Sequence, residues 1–373
     1  MIPILYEKDE TRFRTEGLGR LTDAISCTVT EERNGLFELE MEYPAEGIHF
    51  SGLEPERIIC AIPAPGKKMQ PFRIYRIERL LRTARVYGRH VCYQLHGIPV
   101  APFTASTAAA AFAAIRQNAA SPCPFTFTVA ADYVNEAGTL TLEEPRSAMG
   151  ILGGQEGSIL DIWGGEYEYD GFNVILHRNR GEDRGVHIRY GRNLLDVNAD
   201  TSAESRYTGV YCYFRRTEYE EDPDTGETVE TDVLVLPSGV YDTGAETADT
   251  VKRVQIVDVT GEYDSDEAAP TPQALYQRAR QYAEQNSVSD LYSNIQVDFL
   301  DLSATTEYEN TAELERVYLC DDVWVHYAGV GISSRLQVIE TVCGVLAGRY
   351  QTITIGTAAG GIYETLNNMM GRG

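Results

Sequence analysis

The sequence lacks the residue spacings on which most catalytic, nucleotide and metal sites depend. It contains no His-x-His or HExxH pair, no C-x-x-C pair, no GxSxG turn, no P-loop and no GxGxxG turn. Scattered cysteines favour reduced thiols over a disulfide framework, with a zinc site assembled across the fold as the alternative. The seven cysteines are Cys27, Cys60, Cys92, Cys123, Cys212, Cys320 and Cys343.

Long apolar runs are also missing. No stretch approaches the roughly 18 apolar residues of a transmembrane helix, and the start of the chain lacks the basic region of a signal peptide. We therefore expect neither a membrane segment nor a secretory signal. The chain has 373 residues, of which 43% are hydrophobic, and this is enough to build two or three domains.

Positive charge is scarce as well. The sequence has 32 Lys and Arg against 56 Asp and Glu, a net charge of −24. Residues 1–100 hold 14 of each sign, so the whole negative excess lies in residues 101–373. A general nucleic-acid binder would be basic, and we expect no specific nucleic-acid binding. The acidic balance favours solubility, or a surface that repels DNA, as a conduit for DNA needs.

Alternating residues predict β-structure in the first hundred positions. Ile25–Thr30 and Phe37–Tyr43 alternate at period two and flank a hairpin signal at Asn34-Gly35. Short strands with Gly and Pro turns indicate a small sandwich or barrel. Further strands are predicted over Ile58–Ile62, Phe72–Ile77 and Ala84–Tyr87, with His90–Leu95 continuing the last pair.

Three stretches have helical patterns. The Ala-rich segment Thr104–Ala120 has Ser106 or Thr107 as its N-cap, and Ser147–Leu152 predicts a shorter helix. Thr271 followed by Pro272 predicts the start of a helix over 272–286. Between these segments, strands are predicted over Phe125–Val129 and Thr139–Leu142.

The stretch from Gly150 to Asp196 is a compact turn-and-strand unit. Ser158 is a natural N-cap for a short apolar turn that ends at Gly164-Gly165. Glu166–Tyr169 and Phe172–His177 follow as two strands, and we predict a type I′ turn at Asp170-Gly171 between them. A third strand is expected over Val186–Tyr190.

The remaining chain returns to strands. Residues 218–232 hold eight acidic and no basic residues, which favours a solvated hairpin tip or mobile loop; a calcium site is the alternative. The Gly-rich end, 357–373, is expected to be poorly ordered without a partner. Strands are predicted over Tyr207–Arg215, Ile295–Leu302, Val317–Leu319, Val323–Tyr327, Leu336–Val342 and Thr352–Ile355.

One internal echo suggests a repeat. Arg73–Glu78 resembles Arg335–Glu340, and each follows an alternating strand, Glu38–Tyr43 or Gln296–Asp301, by a similar interval. A barrel repeated at the two ends of the chain is therefore a checkable hypothesis.

Two groups of residues suggest chemistry or binding. Trp163 with Glu166 and Glu168 is compatible with a glycosidase, in which a sugar stacks on an aromatic ring between two carboxylates, although a core role for Trp163 is simpler. Five arginines recur every third residue but alternate faces on strands, which favours a solvated or interface-facing sheet over DNA recognition. They are Arg73, Arg76, Arg79, Arg82 and Arg85.

The other candidates have no complete pattern. Cys92 and His96 lie close in sequence without a third partner, and Gly150, Gly153 and Gly154 precede no nucleotide-binding unit, so they are turn residues. We therefore assign no catalytic, cofactor-binding or metal-ligating residue and expect no enzyme. The six histidines, none at metal spacing, are His49, His90, His96, His177, His187 and His326.

The order of motifs around Trp163 resembles the N-terminal region of phage minor tail proteins. These are the baseplate-hub and tail-associated-lysin proteins of phages and phage-like particles. Flanking matches at Phe72–Tyr75, Arg89-His90, Tyr93 and Asp321–Val325 extend the similarity over about residues 1–356. The central residues that carry it are Leu152, Gly153, Gly157–Asp161, Trp163–Tyr167, Gly181, Gly185, Tyr190, Gly191, Asn193 and Leu194.

The resemblance implies a mainly β fold with a few helices, in which two related small β-barrel tube domains accompany an outer α+β domain. The first tube-forming barrel would be residues 1–100 and the outer domain 101–185. The second barrel would be 186–356, with the acidic hairpin 218–232 and the helix 272–286, followed by a flexible tail at 357–373.

The function implied is a structural hub or tail tip. A homotrimer would form a pseudo-sixfold ring that joins the tail tube to the central spike or tip of a contractile or related particle. Expected partners are further copies of the chain, a tail tube or distal tail protein, a spike or tip protein and a tape-measure protein. The expected location is the tail or baseplate of a virion or phage-like particle made in the bacterial cytoplasm.

Two further expectations concern activity. Family members with cell-wall hydrolase activity carry it in an added C-terminal domain that these 373 residues do not contain, so no lysis and no cofactor are expected. The alternative function, from a different class, is a β-rich carbohydrate-active enzyme or carbohydrate-binding protein.

Overall fold

A computed structural model divides the described residues into two compact units. One contains residues 1–199 together with the C-terminal strands, and the other contains residues 200–293. The predicted domain boundaries at 100, 185 and 356 stay predictions, and the tail 357–373 lies outside the described residues. The structure describes residues 1–189, 194–202, 207–221, 228–244, 251–263, 268–285, 288, 292–299, 316–327 and 332–356.

Seven strands of the first unit form the first half of a large sheet. Buried and more exposed residues alternate along its central strands, so that Val29, Leu39 and Met41 face a common core. The strands are hydrogen-bonded in the order β3-β4-β7-β6-β5-β1-β2. Their bounds are β1 (Ile4–Tyr6), β2 (Gly19–Arg20), β3 (Ser26–Glu32), β4 (Phe37–Pro44), β5 (Ile58–Ala61), β6 (Gln70–Arg79) and β7 (Thr83–His90), with a 3-10 helix at Phe50–Gly52.

The predicted strand over His90–Leu95 is wrong, because a 3-10 helix occupies Val91–Gly97. His90 ends β7 and caps this helix: its Nδ1 accepts a hydrogen bond from the backbone N–H of Cys92 at 3.2 Å. The ring stacks on Phe37 at 4.4 Å between ring centroids, and burial lowers the pKa of His90 to about 3. A neutral, buried histidine therefore turns the chain out of the sheet.

Residues 91–177 have a hydrophobic cluster of their own around Trp163. Thr107, Ser147 and Ser158 each accept a hydrogen bond from the third residue after them and so cap the three helices. The elements are β8 (Pro99–Val100), β9 (Phe103–Ala105), α1 (Ala108–Gln117), β10 (Thr126–Val129), β11 (Leu140–Leu142), β12 (Arg146–Ser147), α2 (Ala148–Leu152), α3 (Ile159–Trp163), β13 (Glu166–Asp170) and β14 (Asn173–His177).

The hairpin between β13 and β14 is present, but the predicted type I′ turn is wrong. Asp170 pairs with Asn173, so the two central residues are Gly171 and Phe172. A type I′ turn needs positive φ at both central residues. Gly171 has φ of 58°, whereas Phe172 does not have a positive φ, since its Cβ disfavours that region.

The chain then returns to the large sheet and enters the second unit. Within that unit, a sheet packs on a helix through Val210, Phe214, Leu275 and Ala279. Thr271 accepts a hydrogen bond from the backbone of the third residue after it at 3.2 Å, which confirms the predicted helix start. The elements are β15 (Asp183–Arg189), β16 (Leu194–Ser202), β17 (Gly209–Glu221), β18 (Thr228–Val235), β19 (Tyr241–Asp242), β20 (Val254–Asp258), a 3-10 helix (Thr260–Glu262) and α4 (Pro272–Gln285).

The last four strands complete the second half of the large sheet. The predicted strand at Val317–Leu319 is wrong, because the Asp321 carboxylate accepts a hydrogen bond from the backbone of Tyr318 at 2.9 Å and folds this segment into a turn. The order in this half is β16-β21-β24-β23-β22-β15. The bounds are β21 (Tyr292–Phe299), β22 (Asp322–Tyr327), β23 (Ile332–Gly344) and β24 (Arg349–Gly356).

The two halves of the sheet repeat one strand order. β3-β4-β7-β6-β5-β1 in the first half matches β16-β21-β24-β23-β22-β15 in the second, although the last pair is antiparallel in one and parallel in the other. The echo Arg73–Glu78 lies in β6 and its copy Arg335–Glu340 lies in the corresponding β23. The mainly β fold with a curled, half-barrel sheet is therefore confirmed.

The second unit is an insertion at a definite place in this repeat. It follows β16 and precedes β21, whereas the corresponding β3 and β4 are joined by the short turn around Asn34. A hairpin turn in one half thus corresponds to a whole compact unit in the other.

Candidate assembly surfaces

Trp163 does not contribute to a sugar site. Its side chain is fully buried in the cluster of residues 91–177, and its indole N–H donates to the carbonyl oxygen of Gly138 at 3.3 Å. A ring enclosed on both faces cannot stack on a substrate, so the core role is confirmed.

Glu166 is buried and ties three segments together. Its carboxylate accepts hydrogen bonds from the backbone N–H of Arg180 at 2.7 Å and from the Gln337 amide at 2.9 Å, and it lies 3.4 Å from the Arg33 guanidinium. These partners come from the β3–β4 turn, the segment after β14, and β23. The geometry gives Glu166 a structural role.

Glu168 lies on the same strand but pairs elsewhere. Its Oε2 is 3.0 Å from Nε2 of His177, and this hydrogen bond lowers the pKa of Glu168 to about 2 against the effect of its burial. A glycosidase needs one carboxyl group with a raised pKa as its general acid. Glu166 and Glu168 thus have separate hydrogen-bond partners, Arg180 and Gln337 for the first and His177 for the second.

An ion pair that the residue pattern did not reveal lies beside Glu166. Arg180 contacts Glu31 at 2.8 Å, and the side chains are only 15% and 7% exposed. The same guanidinium donates to the carbonyl of Tyr167 at 3.3 Å. Next to it, a Cβ on Gly181 would overlap the carbonyl of Cys320, so the residue must be glycine. Of these residues, the motif resemblance included Glu166, Tyr167 and Gly181 but not Glu31.

Cys92 and His96 line a cavity of only about 30 Å³, room for roughly one water molecule. Burial raises the pKa of the Cys92 thiol, whereas a nucleophilic cysteine needs a lowered one. Burial also lowers the pKa of His96. Cys92 is therefore a core residue with a raised thiol pKa, whereas His96 lies at the exposed end of the 3-10 helix.

The five regularly spaced arginines do not form a common basic stripe. Arg73 donates to the carbonyls of Lys8 at 3.0 Å and Glu56 at 2.6 Å, while Arg76 pairs with Glu78. Arg79 lies over the Phe50 ring and donates to the carbonyl of Leu53, and Arg82 and Arg85 are exposed. Their separate partners fit the interpretation of a solvated or interface-facing sheet.

The remaining candidate residues are the glycines near α2 and the cysteines. The prediction of a turn residue is wrong for Gly150, which lies within α2, whereas Gly153 ends that helix and Gly154 follows with φ of 81°, as turn residues do. All seven cysteines are unpaired. Across the described ranges no group of three His, Cys, Asp or Glu side chains is placed to hold a metal ion, and none of the helices there is long and apolar enough to cross a membrane.

The two described arms of the acidic segment 218–232 pair as the predicted hairpin requires. β17 and β18 pair from Phe214 opposite Val235 to Glu221 opposite Thr228. The tip, 222–227, lies outside the described residues, and so do the side chains on which a calcium site would depend.

The halves of the large sheet join at one seam. Five residues of β23, Glu340 to Gly344, pair with β3, so that Glu340 lies opposite Glu32. The preceding part of β23 pairs with β22, while β24 pairs along its other side. Along one edge, β23 therefore pairs first with β22 and then with β3.

The seam is tightened by apolar contact and contains a like-charge pair. Val345, just past β23, is buried in the core of the first half, and its N–H donates to the Cys27 carbonyl at 2.9 Å. Burial, together with the neighbouring Glu340 carboxyl, raises the pKa of Glu32 to about 7, and burial raises that of Glu340. The seam thus holds an ionisable group that titrates near neutral pH.

Part of the sequence resembles a known protein family. Residues 182–365 match the family model described as prophage endopeptidase tail. A comparison with curated protein sequences found no match.

Three solved structures have a similar fold over nearly the whole chain. Prophage tail protein gp18 from Listeria monocytogenes has a TM-score of 0.61 at 13% identity, covering 100% of this chain and 99% of its own. The 43 kDa tail protein of prophage MuSo2 from Shewanella oneidensis has 0.58 at 13% identity, covering 96% and 98%. A tail protein from Neisseria meningitidis has 0.55 at 12% identity, covering 98% of each chain. The chain therefore resembles phage tail proteins, in sequence over residues 182–365 and in fold over nearly its whole length.

Proposed function

We propose that this chain is a structural baseplate-hub or tail-tip protein, three copies of which form a pseudo-sixfold ring between the tail tube and the central spike or tip. The observation that carries the proposal is the repeated strand order within one polypeptide, joined by the β3–β23 seam. Three chains with two similar halves each supply six similar positions, which is what a transition from sixfold to threefold symmetry requires.

The sheet edges support assembly. β16 and β2 stand at the two ends of the strand order, and β16 leads directly into the second unit. Edge strands present unpaired backbone groups, which proteins cover or pair. Pairing between copies would cover them.

The proposed partners follow from this position in a tail. They are a tail tube or distal tail protein on one side, a spike or tip protein on the other, and a tape-measure protein, in the tail or baseplate of a virion or phage-like particle. A net charge of −24 disfavours specific nucleic-acid binding and suits a ring past which DNA moves.

The mass of the purified protein in solution tests the ring. Light scattering is expected to give three times the 41.4 kDa chain mass, and negative-stain images are expected to show a ring. A monomer at every accessible concentration, including in the presence of a co-expressed tube protein, would contradict the proposal.

A role without catalysis is part of the proposal, and it needs its own test because the matched family model names an endopeptidase. The burial of Trp163, Glu166 and Cys92 supports a structural role for these residues. We expect no release of fragments from purified peptidoglycan or cell-wall peptides, and no binding on a polysaccharide array. Cleavage that disappears on substitution of a single side chain would overturn this part, and saccharide binding would favour the carbohydrate alternative.

A further inference from the structure

Strand β6 pairs on one side for only part of its length. Its residues Gln70 to Arg73 pair with β5, and Ile74 exchanges backbone hydrogen bonds of 2.8 Å with Glu56 and Arg57. Beyond Ile74, no strand in the described part of the chain pairs with residues 75–79 on the side away from β7.

The backbone groups along this edge point outward. Leu80 donates its N–H to the Thr83 carbonyl at 2.8 Å, so this is a hydrogen-bonded pair of the β6–β7 hairpin. Bonded and non-bonded pairs alternate in an antiparallel ladder, so the N–H and C=O groups of Ile77 and Arg79 point away from β7. The edge therefore presents donors and acceptors to a further strand.

The internal repeat shows what occupies the corresponding edge. Residues 75–79 end where Arg79 pairs with Ala84 at the hairpin turn, and residues 340–344 end where Gly344 pairs with Arg349 at the matching turn. Residues 75–79 thus correspond to 340–344. The latter pair with β3, the first strand of the other half.

The residues after this edge strengthen the correspondence. Val345, which follows 340–344, is 1% exposed because it enters the core of the other half. Leu80 and Leu81, which follow 75–79, are 50% and 94% exposed. Two exposed leucines at a hairpin tip cost free energy in water unless a partner covers them.

In the second half of the sheet, the strand that corresponds to β3 is β16. By the repeat, β16 is the strand that would pair with residues 75–79. β16 ends the strand order and is separated from β6 by six strands, which is roughly 30 Å along a sheet at about 4.8 Å per strand. A second copy can supply it. We propose that Tyr75 to Arg79 form the docking edge for β16 of a neighbouring copy, with Leu80 and Leu81 buried against that copy's second half.

This proposal rests on the proposed ring and specifies its interchain seam. Because β6 and β16 are different surfaces of one chain, the contact is head-to-tail, and repetition of such a contact closes a ring or builds a filament. Within a ring, the interchain seam would repeat the β3–β23 seam inside each chain.

Amide hydrogen exchange on the unmodified protein tests the seam directly. The protein is compared at concentrations below and above assembly, as monitored by light scattering. Peptides that cover residues 75–81 and 194–202 are expected to gain protection together on assembly. Assembly that leaves residues 75–79 in fast exchange would contradict the proposed seam but not the proposed ring. The absence of any assembly would contradict both proposals.

Two matched pairs of variants distinguish loss of the docking edge from a general loss of fold stability. Ile77→Pro removes the outward N–H and should abolish the trimer peak, whereas Ile77→Ala truncates the same side chain, keeps the N–H and should retain it. Leu81→Asp should also abolish the peak, and Val134→Asp, at another exposed apolar residue, should not. A full trimer peak for Ile77→Pro and Leu81→Asp would overturn the proposal, and a monomeric Leu81→Asp with unchanged thermal unfolding would support it.

Discussion

Glu31 and Arg180 are charged residues that the fold places almost entirely out of water. Taking a charge out of water costs several kcal/mol, and a close partner of opposite charge offsets that cost. Glu166 lies beside this pair, and its buried carboxylate accepts hydrogen bonds from the backbone N–H of Arg180 and from the Gln337 amide. Glu166, which first suggested chemistry, thus links both halves of the sheet to the segment after β14 through Arg33, Gln337 and Arg180.

Removing either partner of the Glu31–Arg180 pair should be costly. Arg180→Met or Glu31→Leu alone is expected to lower the free energy of unfolding by about 3–5 kcal/mol, because each leaves a buried charge without its partner. The double variant should lose less than the sum of the two. Urea unfolding of all four proteins gives the coupling, and strictly additive losses would show that the pair does not interact.

Gly181 should tolerate no side chain. Gly181→Ala places a Cβ on the carbonyl of Cys320 and is expected to lower the free energy of unfolding by about 1–3 kcal/mol or more. Gly97→Ala is the control, because a Cβ there meets nothing within 4 Å, and its effect should stay within about 0.5 kcal/mol. Equal unfolding midpoints for the two variants would contradict the close approach.

At the scale of elements, β23 determines how the halves join. It has 13 residues, long enough for β22 to pair with its first part and β3 with its last part. Pairing in this register sets Glu340 against Glu32, two carboxyl groups that would both be charged in water. The seam is therefore more stable when one of them is protonated.

This pair should make stability depend on pH. The pKa of Glu32 is raised from 4.5 to about 7, so the folded state binds more protons than the unfolded state between these values, and stability falls as pH rises through that window. Glu340→Gln should raise the free energy of unfolding at pH 8 by on the order of 1–2 kcal/mol, with a smaller effect near pH 4.5.

The control for that experiment is Glu40→Gln, at an exposed position on β4. It should leave the difference between pH 5 and pH 8 unchanged in urea unfolding. The assignment of the pH dependence to the seam fails if Glu340→Gln and Glu40→Gln give the same profile.

At the scale of the whole molecule, charge opposes assembly. Each copy carries a net charge of −24, so copies repel one another beyond their contact edges. Backbone pairing and apolar contact at a strand edge are insensitive to this charge, but the approach of two acidic chains is not.

Salt should therefore strengthen the proposed ring. Raising ionic strength from 0.1 to 1 M shortens the screening length from about 10 Å to about 3 Å, which weakens long-range repulsion. The dissociation constant of the trimer, measured by sedimentation, is expected to fall as sodium chloride is raised. A dissociation constant that rises with salt would instead indicate that ion pairs between copies dominate the interface.

The sequence by itself determined the local elements. Thr107, Ser158 and Thr271 have side chains that accept backbone hydrogen bonds at helix starts, and alternation along β3 and β4 predicts their buried faces, so these elements were correctly predicted. It also revealed the echo between β6 and β23, which hold corresponding places in the strand order, although the hairpin ends match residues 75–79 with 340–344 and set the echo three residues out of register. The capping and alternation signals are each contained within a few neighbouring residues.

Only the tertiary structure decided the contacts between distant segments. Nothing near His90 indicates that its ring will be buried on Phe37 and end the strand, and nothing near Glu340 indicates that Glu32 will lie opposite it. The same holds for Glu166, whose partners are separated from it by up to 171 residues. Burial and pairing of this kind depend on which strands become neighbours, and that is set by packing of the whole sheet rather than by local preference.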